Sequence, residues 1–167
     1  MRAVVWISET TWEACVDEAR AFLPDDAEIT LLHVAPGDVE ELAASGRAGL
    51  LGRRPPPPPG PPLRAVAEEE AQALLAEAQS RLGRPAQLLA RRGRAEQQVV
   101  DVCADADLLV LARDGEHRAG PKSLGPRTRF VVDHARCRVL LVWAGGEPRG
   151  RPAPATAPLP LARESRA

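Results

Sequence analysis

The sequence predicts an α/β fold, an open five-stranded parallel sheet with helices on both faces. Five short apolar runs rich in Val, Leu and Ile alternate along the chain with segments of helical periodicity. The runs are almost continuously hydrophobic, which is typical of strands buried on both faces of a parallel sheet. At 167 residues, the chain has room for one such domain and some unstructured length.

The first strand–helix–strand unit lies at the amino-terminal end. Residues 3–7 (AVVWI) predict strand one, and residues 28–34 (EITLLHV) predict strand two. Between them, residues 12–23 have helical spacing. The predicted buried face of this helix holds Trp12, Cys15, Ala19 and Phe22. A helix of this length between two strands indicates a parallel pair joined by a right-handed crossover.

Residues 35–63 interrupt this periodicity. Their central feature is a proline run between Pro55 and Pro62, broken by one glycine, which favours polyproline II and ends any helix or strand. We predict a semi-rigid insertion that links strand two to the next helix. The alternative is a docking site for a proline-binding partner domain, but PxxP spacing arises easily in a Pro-rich chain.

Residues 65–82 predict the longest helix, because Ala, Leu, Glu and Gln dominate them. Its predicted apolar stripe consists of Val66, Leu74, Ala78 and Leu82. Residues 87–90 predict strand three, and residues 95–104 predict the following helix.

The last unit runs from residue 107 to residue 142 and contains a glycine loop. Residues 108–111 and 139–142 predict strands four and five. A helix is predicted to begin at Pro126, because proline is favoured at the first helical position. Beyond residue 144, the Pro-, Ala- and Arg-rich tail of residues 145–167 is predicted to be disordered.

Composition excludes several classes of function. The net charge is −1 and the sequence pI is about 6.3, so nothing indicates binding to nucleic acid or to an anionic membrane. The three cysteines form no C-x-x-C pair, and we predict that they are reduced core residues. Neither a signal-peptide core nor an apolar run of membrane-spanning length is visible, so we expect a cytoplasmic protein.

The glycine loop carries the clearest functional signal. Nine residues separate Gly115 from Gly125, and Pro126 follows directly. The loop therefore leads from the carboxyl end of a parallel strand into the amino terminus of a helix. Free backbone N–H groups and the helix dipole converge at such a point, where folds of this class bind phosphates.

This loop resembles that of the universal stress protein family. The family's nucleotide motif is Gly, two residues, Gly, nine residues, Gly, then Ser or Thr. The corresponding residues here are Ala112, Gly115, Gly125 and Pro126. The ending HARCRVLLV (residues 134–142) is also similar to the family's closing strand and its approach.

The resemblance implies a Rossmann-like, three-layer αβα domain over residues 1–144, with residues 35–63 as a variable insertion. It implies nucleotide contacts from Val34, Leu111, Ala112, Arg113, Gly115, Gly125, Pro126, Arg127 and Thr128. It also implies a homodimer that pairs its last strands. The residues of that strand are Val139, Leu140, Leu141, Val142 and Trp143.

Three departures from the family pattern weaken the predicted nucleotide site. Ile7 stands where nucleotide-binding members have an Asp, and Ala112 replaces a glycine that allows close backbone approach. Pro126 removes a hydroxyl and a backbone N–H. Each lost hydrogen bond to a charged group costs about 1.5–3 kcal/mol. The basic residues of the loop compensate in part: Arg113, Arg118, Lys122 and Arg127.

We therefore predict a non-catalytic stress-response protein that acts by binding, with weak or lost ATP affinity. The alternative is an ATP- or AMP-binding member whose occupancy regulates partner binding, with ATP as the one candidate cofactor. A nucleotide-dependent ligase or transferase would need a catalytic constellation, and the sequence contains none that we recognise. No catalytic residue and no metal site is predicted.

Overall fold

The computed structural model describes residues 1–37, 61–116 and 120–144, apart from the side chains of residues 61–64 and 121. The strands are β1 (Arg2–Ile7), β2 (Glu28–Ala35), β3 (Gln87–Arg92), β4 (Leu108–Arg113) and β5 (Arg138–Trp143). The α-helices in these ranges are α1 (Trp12–Phe22), α2 (Pro61–Leu82), α3 (Ala95–Val102) and α4 (Pro126–His134).

All strand pairs are parallel, in the order β3-β2-β1-β4-β5. Helices α1 and α2 pack on one face of this sheet, where Val5, Leu31 and Leu75 are fully buried. Helices α3 and α4 pack on the other face around Leu109 and Val131. The predicted three-layer αβα architecture is confirmed.

The strand order reverses between β1 and β4. From β1, the chain adds β2 and β3 on one side, whereas β4 and β5 lie on the other side. Helices that leave β1 and β4 therefore diverge to opposite faces and open a crevice at the carboxyl ends of these two strands. The glycine loop follows β4, so the sequence placed it correctly at this crevice.

The buried face of α1 differs from the prediction at its last turn. Phe22 is 59% exposed, and Leu23, the residue after the helix, is buried at 5%. A helix has 3.6 residues per turn, so both i+3 and i+4 from Ala19 are eligible for the core. The contact that forms is the i+4 contact. The Leu23 N–H bonds the Ala19 carbonyl at 3.0 Å, which continues the helical turn to Leu23, and the Leu23 side chain is buried.

The buried stripe of α2 is also shifted. It consists of Ala71, Leu75, Ala78 and Leu82. The predicted Val66 is 49% exposed, because the first turns of α2 stand away from the sheet. A cavity of about 650 Å³ lies between those turns and the ends of β2 and β3.

Several element boundaries move by a few residues. Helix α2 begins at Pro61 rather than at residue 65, so Pro61 and Pro62 belong to a helix and not to a polyproline segment. Proline is tolerated there because the first helical N–H groups have no intrahelical partner. Ala35 still belongs to β2, and the helix predicted over residues 95–104 changes to a 3₁₀ turn at Cys103–Asp105.

Residues 38–60, 117–119 and 145–167 lie outside the described residues. The predicted proline docking site, apart from its last two residues, and the predicted disordered tail therefore fall there, as does Arg118. Within the described ranges, no helix is both long and apolar enough to cross a bilayer.

Candidate functional site

A cavity of about 270 Å³ opens at the crevice, above the carboxyl ends of β1 and β2. Its wall combines the β1–α1 loop, the end of β2 and the start of α4. The lining residues are Trp6, Ile7, Ser8, Glu9, Thr10, His33, Val34, Pro36, Gly93, Ala95 and Arg127. Val34 and Arg127 are the predicted nucleotide contacts among them.

The end of β1 offers no carboxylate to this cavity. The Ile7 side chain is fully buried in the core beneath α1 and α2, and Glu9, in the loop after β1, is an acidic residue of the cavity wall. The Ile7 carbonyl oxygen instead lies 3.0 Å from His33 Nδ1. Because a carbonyl can only accept, Nδ1 is the donor in this hydrogen bond. The structure also places His33 in the cavity wall.

Gly115 is packed against its own loop. The Gly115 N–H bonds the Ser123 carbonyl at 3.1 Å, and the Glu116 N–H bonds the Lys122 carbonyl at 2.8 Å. A Cβ at Gly115 would lie 2.2 Å from the Lys122 carbonyl oxygen. Because Gly115 has no side chain, the loop can close on itself at this position.

Gly125 caps α4 and already has an anionic partner. The Asp114 carboxylate accepts the Gly125 N–H at 2.7 Å. The next residue, Pro126, has no N–H to offer. The backbone donors that a phosphate would use at this helix start are thus reduced to those of Arg127 and Thr128, with a carboxylate beside them.

Arg113 braces the loop rather than facing the cavity. Its guanidinium donates to the Ser123 hydroxyl and lies 4.8 Å from the centre of the Trp143 ring. The Ser123 hydroxyl in turn donates to the Gly120 carbonyl at 2.7 Å, and Ser123 is fully buried. This network ties the glycine loop to the end of β5.

The predicted basic character of the loop is partly cancelled by neighbouring acids. Lys122 Nζ lies 3.6 Å from a carboxylate oxygen of Glu116, and the Asp114 carboxylate lies at the start of α4. Arg127 is the basic loop residue that the structure places in the cavity wall. The local charge is therefore closer to neutral than the sequence indicated.

Four of the nine predicted contact residues are buried, and one of them is the cavity-lining Val34 at 8% exposure. Leu111 and Ala112 lie in the sheet at 0% and 7% exposure, and Thr128 is 2% exposed in the first turn of α4. Ala112 pairs with Val142 of β5 and packs in the core on the α1–α2 side. The nine predicted residues are therefore not gathered into one open pocket.

Sequence reasoning did not assign three important residues to the site: Asp114 and Ser123 of the loop, and Trp143 at the end of β5. A signal for Asp114 was available, because Asp is strongly preferred as a partner of N–H groups at helix starts. The separation of eleven residues between Asp114 and Gly125 hid this pairing. Within the described residues, no group of three or more His, Cys, Asp or Glu side chains gathers as a metal site would require.

Solved structures share this fold. A universal stress protein in complex with cAMP is 16% identical, with a TM-score of 0.57 over 86% of this chain and 97% of its own. A universal stress protein from Archaeoglobus fulgidus is 19% identical (TM-score 0.55, covering 85% and 98%). The universal stress protein UspA from Lactobacillus plantarum is 17% identical (TM-score 0.53, covering 85% and 97%). No protein-family model matches the sequence, and neither does any curated protein. The chain therefore has the universal stress protein fold.

Proposed function

We propose that this protein is a member of the universal stress protein family that acts by binding other proteins, without catalysis and with weak or lost affinity for ATP. The fold supports membership, since three universal stress proteins superpose over 85% or more of the chain. The crevice between β1 and β4 supports a weak or lost affinity for ATP. The groups that would bind phosphate there are either replaced in the sequence or already hydrogen-bonded within the loop.

The Asp114–Gly125 contact carries the proposal. A carboxylate held 2.7 Å from the Gly125 N–H satisfies the donor that an incoming phosphate would need. The carboxylate also repels a triphosphate, because like charges at close range oppose binding. A nucleotide would therefore have to displace Asp114 before its phosphate could bond the Gly125 N–H.

The alternative function, regulation by a bound nucleotide, has two observations in its favour. The spacing of Gly115 and Gly125 fits the family motif, and Arg127 and His33 line a cavity at the expected end of the sheet. The structural neighbour in complex with cAMP also shows that this fold accepts a nucleotide with one phosphate. A nucleotide with one phosphate needs fewer hydrogen-bond donors from the loop than ATP does.

Calorimetric titration of the purified protein with ATP and with cAMP tests both functions. We expect no saturable heat for wild type up to about 1 mM of either ligand, which corresponds to less than about 4 kcal/mol of binding free energy. Saturable binding with a Kd below about 100 µM would refute the proposal and establish the alternative.

Two variants test whether the Asp114 carboxylate is the cause of the weak affinity for ATP. Asp114→Ala removes the carboxylate from the start of α4, and we expect it to gain affinity for ATP relative to wild type. Asp133→Ala is the matched control, because it removes one negative charge from the exposed end of the same helix. An equal gain in ATP affinity in the two variants would mean that net charge, and not the contact with Gly125, governs binding.

We further propose that the protein forms a homodimer through β5. This strand is an edge of the sheet, and its sequence RVLLVW has no Pro or Lys to discourage pairing. Val139, Leu140 and Leu141 are only half-buried on it. An apolar edge strand with unpaired backbone groups is stabilised when a second copy extends the sheet.

A further inference from the structure

Two cysteines that are far apart in the sequence meet at the end of the sheet opposite the crevice. Cys103 begins the 3₁₀ turn after α3, and Cys137 immediately precedes β5. The sheet register brings them together. Arg138 pairs with Leu108 and its N–H bonds the Asp107 carbonyl at 3.2 Å, while the Ala106 N–H bonds the Cys103 carbonyl at 3.1 Å.

The two side chains share one environment. Cys103 is fully buried in the core cluster on the α3–α4 face, and Cys137 packs against that cluster while remaining partly exposed. Each thiol also shifts the pKa of the other, as expected for neighbouring side chains. Cys15, the third cysteine, is buried in the core on the opposite face of the sheet.

We propose that Cys103 and Cys137 form a reversible disulfide when the protein meets a low-molecular-weight disulfide. The pair has one cysteine that is partly exposed and a second that is buried in the cluster against which the first packs. A dithiol with that arrangement suits stepwise exchange, because the exposed sulfur is attacked or attacks first and the buried sulfur resolves the product.

The exchange balances in two steps. The Cys137 thiolate attacks one sulfur of the small disulfide, forms a mixed disulfide and releases one small thiol, which takes up the proton that Cys137 lost. The Cys103 thiolate then attacks the Cys137 sulfur and releases the second small thiol, which takes up the proton from Cys103. Two protein thiols lose two electrons in total, and the small disulfide is reduced to two thiols.

The same environment makes the reaction slow. Burial raises the pKa of Cys103 to about 12, and burial also raises the pKa of Cys137. Few thiolates are therefore present near neutral pH, and the thiolate is the reacting species. Closure responds to prolonged oxidation and not to brief exposure.

The bond would tie the end of α3 to the start of β5. That link closes a loop of moderate length, for which chain-entropy arguments predict a clear gain in stability. In a domain of this size, the gain corresponds to a Tm increase of about 10 °C. The edge strand proposed as the dimer interface would be held most firmly at its first residue.

The experiment exposes the full chain to oxidised glutathione for hours and follows intact mass and Tm, before and after reduction. We expect wild type to lose two hydrogen atoms, to retain no glutathione and to gain a Tm increase that reduction reverses. Cys15→Ser is the matched control and should behave as wild type does. Cys137→Ser should neither close nor gain stability, and Cys103→Ser should retain one glutathione.

Wild type that keeps glutathione on Cys137, or that stays fully reduced throughout, would overturn the proposal. So would closure that persists in Cys137→Ser. If Cys103→Ser fails to fold, the comparison of wild type with Cys137→Ser still decides, because Cys137 is partly exposed and its replacement disturbs the core little.

Discussion

A side chain at Gly115 would collide with the backbone of the loop that contains it. The nearest atom, the Lys122 carbonyl oxygen, lies 2.2 Å from a Cβ built at this position. At Gly125, the nearest atom is Asp114 Oδ2 at 2.6 Å, which belongs to a side chain that can rotate away. The two glycines thus have structural reasons to be glycine, whether or not a nucleotide is present.

Alanine substitutions at these two positions should lower the free energy of unfolding by different amounts. We expect Gly115→Ala to lower the free energy of unfolding by about 2–3 kcal/mol, because backbone must shift to make room. Gly125→Ala should cost about 1 kcal/mol, mainly the weakened hydrogen bond to Asp114. Urea denaturation of both variants measures the difference, and a larger loss for Gly125→Ala would show that the loop is not closed as described.

At the scale of elements, an ion pair joins helices α1 and α2. Arg81 donates two hydrogen bonds to the Asp17 carboxylate, at 2.8 and 2.7 Å, and lies 5.9 Å from the Trp12 ring centre. Hydrogen bonding to Arg81 lowers the pKa of Asp17 below its ordinary value of 3.8. The charged form of Asp17 is therefore favoured in the folded state.

This pair predicts a weak pH dependence of stability. Since the folded pKa is the lower one, the stabilisation is complete above about pH 4 and is lost as the pH falls through the folded pKa. The effect is small, because the Asp17 side chain is 52% exposed and solvent screens it. Asp17→Asn should be less stable than wild type at pH 7, and the difference should be smaller at pH 3, in chemical denaturation.

Asp26→Asn serves as the control for that comparison. Asp26 is exposed in the turn before β2, where it forms no ion pair with the described residues. Its substitution should leave stability nearly unchanged at both pH values. A difference between wild type and Asp17→Asn that persisted undiminished at pH 3 would show that the carboxylate charge is not the source of the stabilisation.

At the scale of the whole molecule, the exposed edge at β5 predicts the oligomeric state. We expect a dimer at micromolar concentration in sedimentation experiments. Leu141→Glu puts a charge on the pairing strand and should weaken dimerisation at least about tenfold, since burying an unpaired carboxylate costs more than about 1.4 kcal/mol. Phe22→Glu, at an exposed apolar position on α1, should remain dimeric. A monomeric wild type, or a Leu141→Glu variant that still dimerises as wild type does, would exclude β5 as the interface.

The sequence by itself determined the architecture, because the information for it is local. Short apolar runs such as residues 108–111 are typical of strands that are buried on both faces of a parallel sheet. Pro126 fixed the start of α4, since a proline is tolerated in the first turn of a helix and not in its interior. The crevice then followed from strand order, which places the glycine loop at the carboxyl end of β4 beside β1.

Only the tertiary structure decided what the loop and its surroundings do. The Asp114 carboxylate meets the Gly125 N–H, and Cys137 packs against the cluster that contains Cys103, across separations that no helical or strand period encodes. Such contacts depend on loop path and sheet register, which are set by the packing of the entire domain. Side-chain burial at the ends of elements has the same origin. The choice between Phe22 and Leu23 depended on the surface against which α1 packs.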